Sequence, residues 1–282
     1  MSTQTVQEVQ TAGAVLWTVS QGAGLPVVLC HGGPGLSDNL EPLAFMIDDL
    51  ARVHRYDQRG SGRSRGDGGF DVDTFIADLD ALRTHWGHPK WVLGGHSWGA
   101  NLALFYALAH PEHTLAVIYL AGTGLRWGWQ QDAQQRRLAR LSDTERAELT
   151  DLRRELAAGD TAAVQRFLRL MWITDFADRR HARVLDEQPL YRFPRDEHIF
   201  RAVTQTYKTH LESGLEDQVR LLDVPLLVIH GAHDTDPARA RRVAQLAPRG
   251  RWVELEHSAH CPWLEEPAAV RGALRRFLHD LS

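Results

Sequence analysis

Continuous apolar runs of about six residues, separated by stretches of helical periodicity, constrain this chain more than any other feature of its sequence. Leu25-Pro26-Val27-Val28-Leu29-Cys30 is one such run, β-branched and flanked by glycines. A strand with no polar alternate positions has to be buried on both faces. Arg52–Tyr56, Trp91–Gly94 and Thr114–Leu120 repeat the pattern, and Ala14–Val19 reads as an earlier, antiparallel strand. Helical segments are expected over Asp73–Trp86 and Trp98–His110, the second apolar almost all round and so buried on most sides. Near the end the rhythm returns with a strand at Pro225–Ile229, a helix at Pro237–Ala247, a strand at Arg251–Leu255 and a closing helix at Glu265–Leu281. Such alternation predicts an α/β fold, with a mostly parallel central sheet covered by helices on both faces.

The rhythm is interrupted once. Residues 123–214 lack strand-like runs and carry 16 basic and 14 acidic side chains at helical spacing. Ser142-Asp143-Thr144-Glu145 has the form of a capping box, Gly159 can end that helix, and Asp160 can start the next. The organisation predicted is a core of residues 1–122 and 215–282 with a helical cap over 123–214.

Charge and composition narrow the function. The formal net charge is −4, and the charges of the helical stretch nearly cancel, so no basic surface is available to hold a nucleic-acid backbone. No apolar run approaches 18 residues, and Met1–Gln10 is polar without a signal-peptide core, so neither a membrane partner nor export is expected. Two cysteines, Cys30 and Cys261, suit a reducing compartment; a cytoplasmic location is the expectation. None of the fifteen histidines stands in a metal-ligand spacing with acids or cysteines, so no metal or other cofactor is expected.

Gly95-His96-Ser97-Trp98-Gly99 lies between a buried strand and a buried helix. A nucleophile on so sharp a turn needs room two residues to either side, which glycine supplies. A serine hydroxyl also needs a base, and the base an orienting carboxylate. Asp234, in Gly231-Ala232-His233-Asp234, and His260, in His257-Ser258-Ala259-His260, each follow a later strand. Parallel strand ends converge on one crevice, so both can meet Ser97. Asp236 precedes Pro237 and reads as a helix N-cap, which favours Asp234. Spacing alone does not separate His257 from His260. His233 reads as a loop residue, and His31 and His96 as packing or hydrogen-bonding residues.

His31-Gly32-Gly33-Pro34-Gly35 follows the first buried run and lacks the Gly-Lys-Ser/Thr ending of a phosphate loop. Pro34 has no amide hydrogen, so the expected oxyanion donors are the amides of Gly33 and Trp98. In Tyr56–Ser64, Asp57 and Arg59 are expected to form a structural ion pair. Tryptophans 127, 129, 172 and 263 are candidates to line a proline-sized or aromatic pocket.

These segments, together with His260-Cys261-Pro262-Trp263-Leu264-Glu265-Glu266-Pro267, resemble the α/β-hydrolase superfamily and, within it, proteins similar to proline iminopeptidases. The resemblance implies His260 rather than His257 as base, with Ser97 as nucleophile and Asp234 as orienter. It implies release of N-terminal proline, or a similar small residue, from short peptides without a cofactor. Such enzymes hold the substrate amine with carboxylates, mostly from the cap; Glu187, Glu212 and Glu216 are the candidates here. Ala259 stands where a glycine often precedes the base. The same machinery on an ester, lactone or small amide, and a non-catalytic binding protein of this fold, are the alternatives.

Overall fold

The computed structural model describes residues 2–160, 162–184 and 195–281. In chain order its elements are β1 (Thr5–Thr11), β2 (Ala14–Gln21), β3 (Leu25–Cys30), α1 (Glu41–Phe45), β4 (Ala51–Tyr56), β5 (Arg65–Gly66), α2 (Val72–His85), β6 (Trp91–His96), α3 (Trp98–Ala109) and β7 (Thr114–Leu120). Helices α4 (Trp129–Arg140), α5 (Asp143–Ala157), α6 (Ala163–Trp172), α7 (Glu197–Glu212) and α8 (Leu215–Leu221) follow. The chain then runs through β8 (Leu226–Gly231), α9 (Pro237–Leu246), β9 (Gly250–Leu255), α10 (Pro262–Glu265) and α11 (Pro267–His279).

The strands form one sheet in the order β1-β2-β4-β3-β6-β7-β8-β9, with the short β5 paired to β2. From β4 to β9 every pairing is parallel, whereas β1–β2 and β2–β4 are antiparallel. Both faces are covered, as the apolar runs require. Val28, Cys30, Leu93, Val117, Tyr119 and Val228 point to a core shared with α2, α3, α7 and α9. Their neighbours Val27, Leu29, Val92, Ala116, Ile118, Leu227 and Ile229 point to a second core with α1 and α11. Alternation of successive side chains across a strand makes each run serve two layers at once.

The polar stretch Thr5–Thr11 is also a strand, because an edge strand needs only its backbone bonds to β2; of its side chains only Val9 is buried. Two expectations need correction. The closing helix is two helices. Pro267 pushes Glu266 out of the helical region, to φ −127° and ψ 58°, so α10 ends and α11 begins afresh. Asp57 and Arg59 do not pair with each other: Asp57 takes Arg63 at 2.6 Å, and Arg59 takes Asp78 at 2.7 Å. The Ser142 capping box is present, with the Glu145 carboxylate accepting from the Ser142 amide at 2.8 Å. No described helix is long and apolar enough to cross a membrane.

Candidate active site

Strand β6 delivers Ser97 onto a turn of φ 56° and ψ −120° at the start of α3. A non-glycine residue held there costs on the order of 1–3 kcal/mol, borne by the surrounding packing. The turn is tight because α3 starts directly against β3. A Cβ on Gly95 would sit 2.6 Å from the Ala100 nitrogen, and one on Gly99 2.5 Å from the His31 carbonyl oxygen. The Ser97 amide donates to the Leu120 carbonyl at 2.9 Å, tying the elbow to β7.

Asp234 follows β8 and is buried, and His260 follows β9. His260 Nδ1 and Asp234 Oδ2 are 2.9 Å apart, while Asp234 Oδ1 accepts from the Thr235 amide at 2.6 Å. Burial alone would raise the Asp234 carboxyl, but the charge of His260 and these bonds hold it well below the usual carboxylate range. Burial lowers His260, and the charge and hydrogen bond of Asp234 outweigh that, leaving it above the ordinary imidazole value. The imidazole–carboxylate pair is therefore tightly coupled. Ser97, Asp234 and His260 line one cavity of about 730 Å³.

Gly33 and Trp98 line the same cavity. Trp98 opens α3, so its amide has no partner within the helix. The glycine-rich loop is braced from behind: Gln58 donates to the His31 carbonyl at 2.8 Å and accepts from Trp98 Nε1 at 2.9 Å. His31 belongs to this bracing, whereas His96 braces the His260 loop. His31 Nε2 accepts from the Gln58 amide at 3.0 Å, and His96 Nε2 donates to the His260 carbonyl at 2.9 Å. Burial holds His96 far below the ordinary imidazole value, so it stays neutral.

The competing residues separate. His257 is exposed and does not line the cavity, and His233 is an exposed loop residue. Asp236 holds the N-cap position of α9 but does not cap it. It sits at φ 45°, and its carboxylate takes Arg239 at 3.1 Å. Trp127, Trp129 and Trp172 line the cavity with Phe167, Phe200 and Tyr207, all from residues 123–214. Trp263 does not: it is buried edge-on against His96, ring centroids 4.6 Å apart.

The two described amine-binding candidates do not line the cavity either. Glu212 is exposed beside Lys208, and Glu216 takes Arg126 at 2.7 Å and Arg242 at 3.0 Å; Glu187 lies outside the described residues. The carboxylates among the described lining residues are Asp175 and Asp234, and both are engaged, Asp175 with Arg137 at 2.9 Å. Arg137, Arg153, Arg195 and Arg239 also line it.

Two site residues escaped the sequence reading. The carbonyl of Asp175 accepts from the His260 amide at 2.9 Å. Glu265, its carboxylate buried, accepts from the amides of Ala177, Asp178 and Ala259 at 2.7, 3.2 and 2.7 Å. Glu265 stands within the motif that carries the resemblance, but two of the three amides it binds lie 88 and 87 residues upstream and leave no local signal.

Comparison with known proteins agrees with this fold. Residues 26–267 match the family described as the alpha/beta hydrolase fold. A proline iminopeptidase of Xanthomonas citri is 30% identical over 236 residues, covering 75% of this chain and 74% of its own. One from Clostridioides difficile strain 630 is 28% identical over 258 residues, covering 86% and 85%. Among solved structures, an alpha/beta fold family hydrolase from Bacillus anthracis str. Sterne superposes with a TM-score of 0.77 at 18% identity, over 99% of each chain.

Proposed function

Since this chain belongs to the α/β-hydrolase family, we propose that it is a serine hydrolase acting through an acyl-enzyme on Ser97. One observation carries the reading: the strained Ser97 turn opens on the same cavity as His260, whose Nδ1 is engaged by buried Asp234. In this mechanism the Ser97 oxygen attacks a carbonyl carbon while His260 Nε2 takes its proton. The Gly33 and Trp98 amides donate to the developing oxyanion. The intermediate collapses as the His260 cation returns the proton to the leaving amine or alcohol. Water then attacks the ester, giving its proton to His260, and Ser97 recovers its proton as the acid departs. Asp234 keeps the ring in the required tautomer and stabilises the transient cation.

The relatives' names favour a free N-terminal prolyl peptide or amide as substrate. In that reading residues 123–214 cap the pocket over a core of 1–122 and 215–282. A second reading, hydrolysis of an ester, lactone or amide lacking a free amine, is favoured by the cavity charges. Among the described lining residues both carboxylates are already engaged, and arginines outnumber them. A cytoplasmic location is in keeping with the free, buried thiols of Cys30 and Cys261.

The test is a rate comparison on proline arylamide, other aminoacyl arylamides, N-blocked proline arylamide and a p-nitrophenyl ester, with Ser97→Ala as the blank. Ser97-dependent cleavage of free-amine proline arylamide, lost on N-blocking, is the expected result for the first reading. Ester cleavage alone selects the second. Full activity in Ser97→Ala, or no turnover together with no fluorophosphonate labelling of Ser97, overturns the hydrolase assignment.

A further inference from the structure

His260 is held from the helical insertion as well as from the sheet. Its amide donates to the carbonyl of Asp175, 2.9 Å away, just beyond α6. The buried Asp175 carboxylate accepts from Arg137 of α4, at 3.2 Å from Nε and 2.9 Å from Nη2. Asp175 and Arg137 both line the cavity that contains Ser97. Glu265 fastens the same junction, joining Ala177 and Asp178 to Ala259, the residue before the base.

We propose that Asp175 is a positioning residue for His260, joining the helical insertion to the base, with Arg137 as its counter-ion. The inference rests on the reading of His260 as base. A part-buried ion pair at a junction between elements often serves packing alone. This one is attached to the main chain of His260, while Asp234 holds the ring. His260 is thus fixed at two points, its main chain and its ring, by widely separated parts of the chain.

Its charge environment follows from the same contacts. Asp234 and His230 face it from β8 and the following loop, His96 from β6, Asp175 and Arg137 from the insertion, and Cys261 and Glu265 lie on its own C-terminal side. Burial lowers both His96 and His230, so neither carries charge at neutral pH, and burial holds Cys261 as a thiol. Of the remaining charges, Asp234 and then Asp175 favour the His260 cation, and Arg137 opposes it.

The experiment is an NMR titration of the His260 ring nitrogens in the full-length protein, for wild type, Asp175→Asn and Arg137→Gln, with the pH profile of kcat/KM alongside. Asp175→Asn should lower the midpoint by at least about half a pH unit, a roughly threefold gain in neutral imidazole on the acid limb. Arg137→Gln should move it upward. A purely structural pair would lower thermal stability or the plateau rate and leave both midpoints in place; that outcome overturns the proposal. Should Asp175→Asn fail to fold, Arg137→Gln, at a side chain 30% exposed, reads the same coupling with opposite sign. The ring titration needs no substrate, so a lack of Ser97-dependent turnover would count against the hydrolase reading and not against this one.

Discussion

Gly99→Ala sets two physical effects against each other with opposite signs. Gly99 lies in the first turn of α3, and alanine is the better helix former by about 1 kcal/mol, so propensity alone predicts a more stable protein. Space decides otherwise. The added Cβ would sit 2.5 Å from the His31 oxygen and 2.6 Å from the Cys30 carbonyl carbon, and closer still to the Cys30 oxygen. All three are backbone atoms at the end of β3, so no side chain can swing aside. Reaching an ordinary separation needs a shift of roughly 1 Å between α3 and β3. Overpacking of this kind costs about 1–3 kcal/mol, enough to offset the propensity gain and leave net destabilisation.

Function should suffer more than stability, because the same shift separates Ser97 from Gly33. A misplacement near 1 Å can cost on the order of 100-fold in rate. Urea unfolding and Ser97-dependent turnover measure the two effects. Gly68→Ala is the control, since nothing lies within 4 Å of its Cβ position. A Gly99→Ala protein as stable and as fast as wild type would refute the reasoning about the elbow.

Asp234→Asn should keep the fold and lose on the order of 10³–10⁴-fold in kcat, since an amide neither holds the tautomer nor stabilises the cation; a loss below tenfold would remove Asp234 from the mechanism. In wild type, kcat/KM should fall on the acid side with a midpoint above the ordinary imidazole value of 6.5, because Asp234 outweighs burial at His260; a midpoint below that value contradicts the coupling. The depressed Asp234 carboxyl contributes stability present above its unfolded value of ~3.9 and lost as pH falls through its folded value, a loss that acid titration should find reduced in Asp234→Asn. Glu265→Gln faces amide hydrogens with an NH₂ group and should cost about 1.5–3 kcal/mol by chemical unfolding, with a lower kcat. Unchanged stability would show that the clamp joining Ala177 and Asp178 to Ala259 is dispensable.

The residues at strand ends were legible because their requirements are local. A sharp strand-to-helix turn has to put glycines at 95 and 99, and apolar runs that serve two cores have to be continuous, so the Ser97 turn and the parallel sheet follow from short windows. Asp234 was favoured for a partly mistaken reason, since Asp236 occupies the N-cap without capping. What separates His257 from His260 by geometry is the exposure of one and the bond from the other to Asp234, a contact 26 residues away in sequence.

Tertiary structure alone decided which charges pair. Asp57 with Arg63, Arg59 with Asp78 and Asp175 with Arg137 obey no rule of spacing, because a guanidinium reaches whichever carboxylate the fold brings within about 3 Å. The same holds for the cavity wall. Tryptophans 127, 129 and 172 reach it while Trp263 supports His96, although all four are large apolar side chains to the sequence. Periodicity encodes the direction in which a side chain leaves its own element. What it meets there depends on the packing of elements far apart in the chain, and that is set only when the whole domain closes.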